Sequence, residues 1–555
     1  VKSISQLLSS LLHFGPSITE PLAGICYHKT RGNPFFLKQF LFSLVNAGLL
    51  FFDRRKSSWQ WDITSIRQVE ATDNAATFMS LRIRTLSPDI RNILQHAACF
   101  GTHFSDKELA ILSDRPVTSI REMTSDALQE GFLVLVKKEK DTNATYKFSH
   151  DQVESAVYRQ LSEDGRKSLH LHIGRLILCD ELPIKSSQRL FAIAEQLNKG
   201  SGLITEAEER LNLAEINLKA GRKAKASAAY MPAYLYFQAG LELLSSQTWT
   251  THYQLCLSLH IEGAEAAYLT GSFDLTHLLF NKVLDNAQTL LDKVRIYEIV
   301  IKSFKAQNKL EKAVETGLHV LRLLGIKLPA RPSRLSMLPV LLSIKTMLRG
   351  KKPEDLVNLP PMTDPHYLAV MSIMESIGTA AYYTVPELLP MIGFKAVQLS
   401  LKHGNTDQSS VMGYPTYGFL QCGVIGDIDV GYRFGQVALD IQKHLHDGQT
   451  SPRTQYLVAN LISHWRDHIA ESIPILKDSC ERALTNGELE AAANSVYAVS
   501  YRLFFLGRNL LDVKLNIDES REKLEALGQQ IPLTRLSIFQ QAVENLIHPG
   551  PHPVA

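Results

Sequence analysis

Little in this chain points to a membrane, a disulfide framework or a polyanionic partner. Its six cysteines, Cys26, Cys99, Cys179, Cys256, Cys422 and Cys480, include no CxxC pair and follow no regular spacing, so free thiols in a reducing cytoplasm are expected. No signal peptide is visible. The longest apolar stretch, Leu335 to Leu348, is broken by Pro339 and Lys345 and is too short to span a bilayer. An excess of either charge is also lacking. Against 59 basic residues stand 56 acidic ones, a formal balance of +3, which gives no electrostatic case for nucleic acid or an anionic membrane surface. Catalytic signatures are missing as well. No GxxxxGK[ST] phosphate loop occurs, the nearest look-alike being Gly221-Arg222-Lys223-Ala224, and there is no kinase catalytic loop, DFG triplet or phosphoacceptor helix. The chain by itself is therefore not expected to be an enzyme.

What is present is enough apolar residue, 45% of 555 positions, for three or more domains or one long repeat array. The sequence starts at Val1 and ends in the Pro/His-rich stretch Pro549 to Ala555, so it reads as a fragment. Gly32-Asn33-Pro34 opens the apolar run FFLKQFLFSLVNAGLL, with proline placed for the first turn of a helix. LLFFD and SWQWD, separated by Arg54-Arg55-Lys56, predict a small strand pair. Between residues 78 and 148 the pattern predicts helices near Pro88 to Cys99, Asp106 to Leu112 and Val117 to Glu130. The strands FLVLVKK and ATYKF follow around the polar loop Glu139 to Asn143. Three helices and a hairpin make a winged helix.

After His150 strand signals nearly vanish and amphipathic helices succeed one another to about residue 528. A repeat register is expected on the turn residues Gly221, Gly271, Asn308 and Gly426. Ala214, Ala264, Ile301 and Phe419 stand seven residues before them. Ala226, Thr276, Ala313 and Gly431 stand five after, and Ala233, Val283, Val320 and Ala438 twelve after. Mostly small residues there let antiparallel helices approach closely. This is a degenerate tetratricopeptide pattern, interrupted by a Pro-rich stretch from Leu328 to Pro365.

TRGNPFFLKQFL, FSHDQVESAVY, LHLHIGRLIL, AEQLNKGSGLIT, AGRKAKASAAY and YGFLQCGVIGDIDVGY resemble, in that order, the middle of large bacterial signalling proteins. Those proteins join a STAND-type ATPase to helical repeats, often with a serine/threonine kinase upstream and GAF or PAS sensors with a histidine kinase downstream. The resemblance implies a mainly α fold: a short helical ATPase-lid remnant, a winged-helix domain, then a tetratricopeptide-like α-superhelix. The expected boundaries are 1–75 for the lid remnant, 76–150 for the winged helix, 151–330 for a first repeat lobe, 331–365 for a Pro-rich connector, 366–530 for a second lobe and 531–555 for a linker or tail.

Two residues are candidate nucleotide contacts by this resemblance, and each also has an ordinary reading. Pro34 matches the Gly-x-Pro element whose proline packs on the adenine; alone it is a proline in a helix's first turn. His150 stands where such proteins carry Met-His-Asp, with Ser149 in place of methionine, and would reach the diphosphate of ADP. Otherwise Asp151 caps the next helix and His150 packs. His464 and His468 are four apart, a zinc-compatible spacing on one helical face, but lack the glutamate of HExxH and a third ligand. His170/His172 and His444/His446 are two apart and make poorer metal candidates. The third winged-helix element, VTSIREMTSDALQEGF, holds Arg121 as its only basic residue against Glu122, Asp126 and Glu130, an unfavourable charge for a major-groove helix despite Lys137, Lys138 and Lys140 in the wing. Tyr230, Tyr234, Tyr236, Phe237, Tyr382, Tyr383, Tyr414 and Tyr417 divide between core and groove in a way the sequence does not settle.

The expected function is a non-catalytic, cytoplasmic regulatory segment that couples a STAND ATPase switch to a protein kinase. Its partners would be proteins bound in the repeat groove and the attached kinase or sensor domains, without nucleic acid or membrane. No cofactor is expected in this chain; ATP or ADP with Mg would serve the full-length protein. The alternatives are a transcription regulator reading DNA through the winged helix, and a nucleotide-binding enzyme segment.

Overall fold

Ile4, Leu8 and Leu12 recur every fourth residue and are buried, so α1 (Lys2–Leu12) packs by one apolar stripe. Helices α2 (Pro16–Thr30) and α3 (Pro34–Asn46) both open on proline, where the missing N–H would have had no helical partner. Strands β1 (Leu50–Asp53) and β2 (Ser58–Trp61) pair antiparallel, as the sequence predicts, and α4 (Ile63–Gln68) follows. Leu8, Leu22, Leu37, Phe40, Leu44, Leu50 and Ile66 share one core. At about 25 cal/mol per Å2, each fully buried leucine contributes about 2 kcal/mol to this small subdomain. The computed structural model describes residues 1–68, 75–138, 144–182, 186–445 and 450–548, with backbone alone for residues 35, 46, 68, 75–79, 138 and 334. The wing loop Glu139 to Asn143, with Lys140, lies outside the described residues, as do His446 and the stretch from Pro549 to Ala555.

The next group runs α5 (Ala75–Thr85), α6 (Pro88–Phe100), β3 (Phe104–Ser105), α7 (Asp106–Ser113), α8 (Val117–Gln129), β4 (Leu133–Lys138) and β5 (Ala144–Phe148). Its sheet has the antiparallel order β3-β5-β4, the element order of a winged helix. Strand β3, two residues long, carries no periodicity and was not among the sequence expectations. The cap at its C-terminal end positions it: Ser105 accepts from the Glu108 amide at 3.3 Å while the Glu108 carboxylate accepts from the Ser105 amide at 2.7 Å, a reciprocal pair that fixes the start of α7.

The chain then continues through α9 (Asp151–Gln160), α10 (Glu163–Leu178), α11 (Ser186–Gly200), α12 (Ala207–Ala226), α13 (Tyr230–Glu242), α14 (Thr248–Thr251) and α15 (Tyr253–Leu269). It divides into two compact units, Val1–Leu259 and His260–Ala555, the division falling inside α15. The second unit adds α16 (Phe273–Asn286), α17 (Leu290–Ala306), α18 (Leu310–Leu323), α19 (Arg334–Met347), α20 (Pro365–Thr384), α21 (Leu388–His403), α22 (Tyr414–Leu420), α23 (Ile428–Leu445), α24 (Pro452–Leu461), α25 (Ser472–Thr485), α26 (Leu489–Phe505), α27 (Leu510–Ala526) and α28 (Gln530–Ile547).

The repeat register needs one correction. Gly271, Asn308 and Gly426 are left-handed turn residues, with φ of 79°, 56° and 86°, but Gly221 lies inside α12. The turn there is Ala228, with φ of 56°. Shifted onto Ala228, the register improves: Gly221 takes the place of Ala264 and Ile301, Ala233 that of Thr276 and Ala313, and Gly240 that of Val283 and Val320, all of them buried. The reason for glycine at 221 is contact, since a Cβ there would meet the Phe237 ring at 2.4 Å. Gly487, with φ of 74°, begins another such repeat, followed by buried Ala492 and Val499. The residues after these turns, Ala229, Ser272, Lys309 and Glu488, share nearly one conformation, φ −84°, −84°, −92° and −83° with ψ 69°, 66°, 59° and 63°.

Two further expectations change. Residues 331–365 are more than a connector: they contain α19 and a short 3-10 turn, Pro353–Asn358, whose Ile344 and Leu356 are fully buried against Phe394, Tyr417 and Phe434. Residues 531–547 are no tail, because Leu533, Leu536, Phe539, Val543 and Ile547 line one face of α28 and pack on α26 and α27.

Candidate functional site

Pro34 is exposed at the first position of α3. His150 is exposed too, and it is the N-cap of α9, its Nδ1 accepting from the Gln152 amide at 3.1 Å. That role falls to the histidine, whereas Asp151 occupies the first helical turn, so neither ordinary reading of the pair is as the sequence suggested. A surface cavity of about 470 Å3 on the first unit is lined by Pro21, Gly24, Ile25, His28, Lys29 and Arg67 and includes neither residue.

Behind α3 is a charged clasp. Arg82 of α5 donates to Gln39 Oε1, and to the Glu130 carbonyl and carboxylate at 3.1 and 3.2 Å. Its guanidinium also lies 4.9 Å from the Phe132 ring centroid. Gln39, nearly fully buried, donates in turn to the Gly131 carbonyl at 3.3 Å. Burial pulls the Arg82 guanidinium below its ordinary pKa, opposed by Glu130. One arginine thus joins α3, α5 and the turn between α8 and β4.

A second polar chain ties the winged helix to the helices after it. Gln196 Nε2 donates to the Cys99 carbonyl at 3.0 Å, so its Oε1 accepts from His170 Nδ1 at 2.7 Å, and Nε2 of His170 is left to accept from the Tyr158 hydroxyl at 2.9 Å. A neutral imidazole with its proton on Nδ1 satisfies every one of these groups. Burial, the largest cause, pushes the His170 pKa down and favours that form.

On α8 the single basic residue, Arg121, reaches the buried Asp106 at 3.4 Å. The histidine pair 464 and 468 does not share a helix: His464 lies in the 3-10 turn Ser463–Trp465, and His468 caps the separate turn Ile469–Glu471. The helix that would have aligned them ends at Leu461. Among the described residues no three His, Cys, Asp or Glu side chains are grouped to hold a metal ion, and no helix is long and apolar enough to cross a membrane.

The structure sorts the aromatics. Phe237, Tyr414 and Tyr417 are core, but Tyr382 and Tyr383, at the end of α20, open onto a face of the second unit. Tyr497, Tyr501 and Phe505 form a stripe of every fourth residue on α26, and Arg535 and Phe539 form another on α28. Phe539 meets Tyr497, Tyr501, Phe504 and Phe505 at centroid distances of 6.2, 5.9, 5.7 and 5.9 Å. Arg535 lies 5.0 Å from the Tyr383 ring centroid and 5.8 Å from that of Tyr382. Phe505 is 64% exposed and Tyr382 46%. Burial raises the pKa of Tyr383, Tyr497 and Tyr501 above the usual phenol value, so all three remain donors at neutral pH. Neighbouring ion pairs, Arg453 with Glu375 at 2.7 Å and Lys305 with Glu490 at 3.4 Å, neutralise one another.

This face rests on Arg502, which is 1% exposed. Its guanidinium donates to Ser472 Oγ and Asn460 Oδ1 at 2.7 Å, to the Tyr501 oxygen at 2.6 Å, and to the Ala459 and Asn460 carbonyls at 3.2 Å. Those carbonyls belong to the last turn of α24, the negative end of that helix. Nothing in the sequence marks Arg502; its spacing from Asn460 is long and its surroundings are apolar.

No protein-family model matches the sequence. It is 24% identical to the hybrid signal transduction histidine kinase G of Dictyostelium discoideum over 91% of this chain. The likeness is to part of a signalling kinase. The chain spans 17% of that protein's length, and the relative is not a bacterial one. Among solved structures, a Pyrococcus horikoshii Signal Transduction ATPase with Numerous Domains, a STAND protein with a tetratricopeptide repeat sensor, superposes with a TM-score of 0.40 at 14% identity. The match covers 98% of this chain and 69% of that one.

Proposed function

We propose that the chain is a non-catalytic regulatory and protein-interaction segment of a signal-transduction protein, coupling a STAND-type ATPase switch to a protein kinase output. The open tyrosine and phenylalanine face across α20, α26 and α28 carries this reading. Rigid aromatic side chains offer a large contact area at low entropic cost, and a solvent-exposed Phe505 flanked by Tyr501 and Phe539 has the composition of an interface centre. The similarity to a signalling histidine kinase supports the context. A DNA-reading winged helix gains no support, since Arg121 is drawn to Asp106.

In the complete protein, Pro34 would wall an adenine and His150 would favour ADP, each on the strength of the family resemblance alone. The test is to place the chain between its natural flanking domains and measure autophosphorylation with Phe505→Ser and Tyr382→Ser. Output that matches the parent protein in both variants would refute the proposal.

A further inference from the structure

Arg535 is the unusual group on the aromatic face. It is half-buried, stacked beside two tyrosines, and forms no ion pair among the described residues, while Arg453 and Lys305 nearby are each matched by a carboxylate. A partly desolvated guanidinium held by aromatic rings is best satisfied by a planar anion that can take two parallel N–H donors, namely a carboxylate. The apolar surface starts one helical turn away at Phe539 and continues to the exposed Phe505. From Arg535 to Phe539 the helix rises about 6 Å. In an extended peptide, side chains on one side repeat every two residues, about 6.7 Å. The two spacings correspond.

Resting on the reading of this face as a protein-interaction surface, we infer that it binds an extended peptide segment with an acidic residue two positions from an aromatic or large aliphatic one. The carboxylate is clamped by Arg535 between Tyr382 and Tyr383, and the apolar side chain lies against Phe539 and Phe505. The Tyr501 and Tyr497 hydroxyls remain protonated and so add no competing charge.

The test titrates the full chain into fluorescently labelled 12-residue peptides of Gly/Ser background carrying Glu-x-Phe, Gln-x-Phe or Lys-x-Phe, read by anisotropy. The Glu peptide should bind about tenfold more tightly than the Gln peptide at low salt, with the difference shrinking as salt rises. Arg535→Gln should bring the Glu peptide down to the level of the Gln peptide. Phe505→Ser, at an exposed position outside the core, should weaken both. Equal binding of the Glu and Gln peptides, still lost in Phe505→Ser, would overturn the acidic preference and leave the interaction face standing. Binding by none of the peptides, or binding untouched by Phe505→Ser, would overturn both. A chain that sediments as a dimer and becomes monomeric in Phe505→Ser would show a second copy on the face and also overturn the inference.

Discussion

Replacing Arg502 by methionine isolates what a buried guanidinium without a carboxylate contributes. Methionine keeps most of the side chain's length but donates nothing. Two carbonyls in the last turn of α24, those of Ala459 and Asn460, then lose their donor, at about 1–3 kcal/mol each for a buried unsatisfied acceptor. Asn460 Oδ1 and Ser472 Oγ lose less, since the first still accepts from Tyr501 at 2.6 Å and the second still donates to the Ile469 carbonyl at 2.6 Å. Against these losses stands the desolvation penalty that the parent chain meets on burying the guanidinium and the variant does not, several kcal/mol in an apolar site. The negative end of α24 has already offset part of that penalty. The net expectation is a loss of about 3 kcal/mol, and about half as much for Arg502→Lys, which keeps the charge but not the fork. A chain of two compact units does not unfold in one step, so the assay is amide hydrogen exchange. Amides of α24, α25 and α26 should exchange about a hundredfold faster in Arg502→Met, with those of the first unit unchanged. Protection equal to that of the parent in α24 to α26 would refute the reasoning.

Gly221→Ala should lower the urea midpoint of the first unit, because overpacking against the Phe237 ring, at about 1–3 kcal/mol, exceeds the gain in helix propensity of about 1 kcal/mol. Gly24→Ala, where a Cβ meets nothing within 4 Å, should raise it. The depressed pKa of His170 means that the unfolded chain binds a proton first as pH falls. Its contribution to stability is fully present above about pH 6.5 and is lost as pH drops toward the folded pKa, so urea midpoints from pH 8 to 5 should fall less steeply in His170→Gln than in the parent. Cys179 is exposed, whereas burial pushes the Cys26 and Cys99 thiols up to about 12 and Cys256 to about 11. Maleimide at neutral pH, followed by mass spectrometry, should modify Cys179 first and reach those three only in denaturant. Because the sequence holds no GxxxxGK[ST] motif, purified chain is expected to hydrolyse no ATP above a reagent blank, and turnover that persists through repurification would refute that expectation.

The strand pair, the three winged-helix helices and the mainly helical remainder were legible because period, proline placement and turn residues agree at those positions. The register error at Gly221 shows where that stops. Glycine serves both turns and close helix contacts, and only the fold distinguishes them. Ala228 in a left-handed turn runs against residue preference at about 1–2 kcal/mol, so no local signal could have named it. α28 is a different case: its apolar spacing is present in the sequence but is masked by the Pro/His-rich end beside it. The aromatic face was half legible, with Tyr382 and Tyr383 singled out, but Phe505, Phe539 and Arg535 became a surface only through the packing of α26 and α28. His150 as a helix cap was likewise hidden, because histidine is seldom the capping residue.

The Arg82 clasp has a mechanical meaning for the first unit. Arg82, Glu130 and the Phe132 ring all belong to the winged-helix group and move as one body, while Gln39 belongs to α3. Gln39 accepts from Arg82 and donates to the Gly131 carbonyl, so lifting the winged helix off α3 has to break both bonds of that one side chain. Gln39 therefore acts as a pin between the two parts, and the arginine keeps the socket for it in shape.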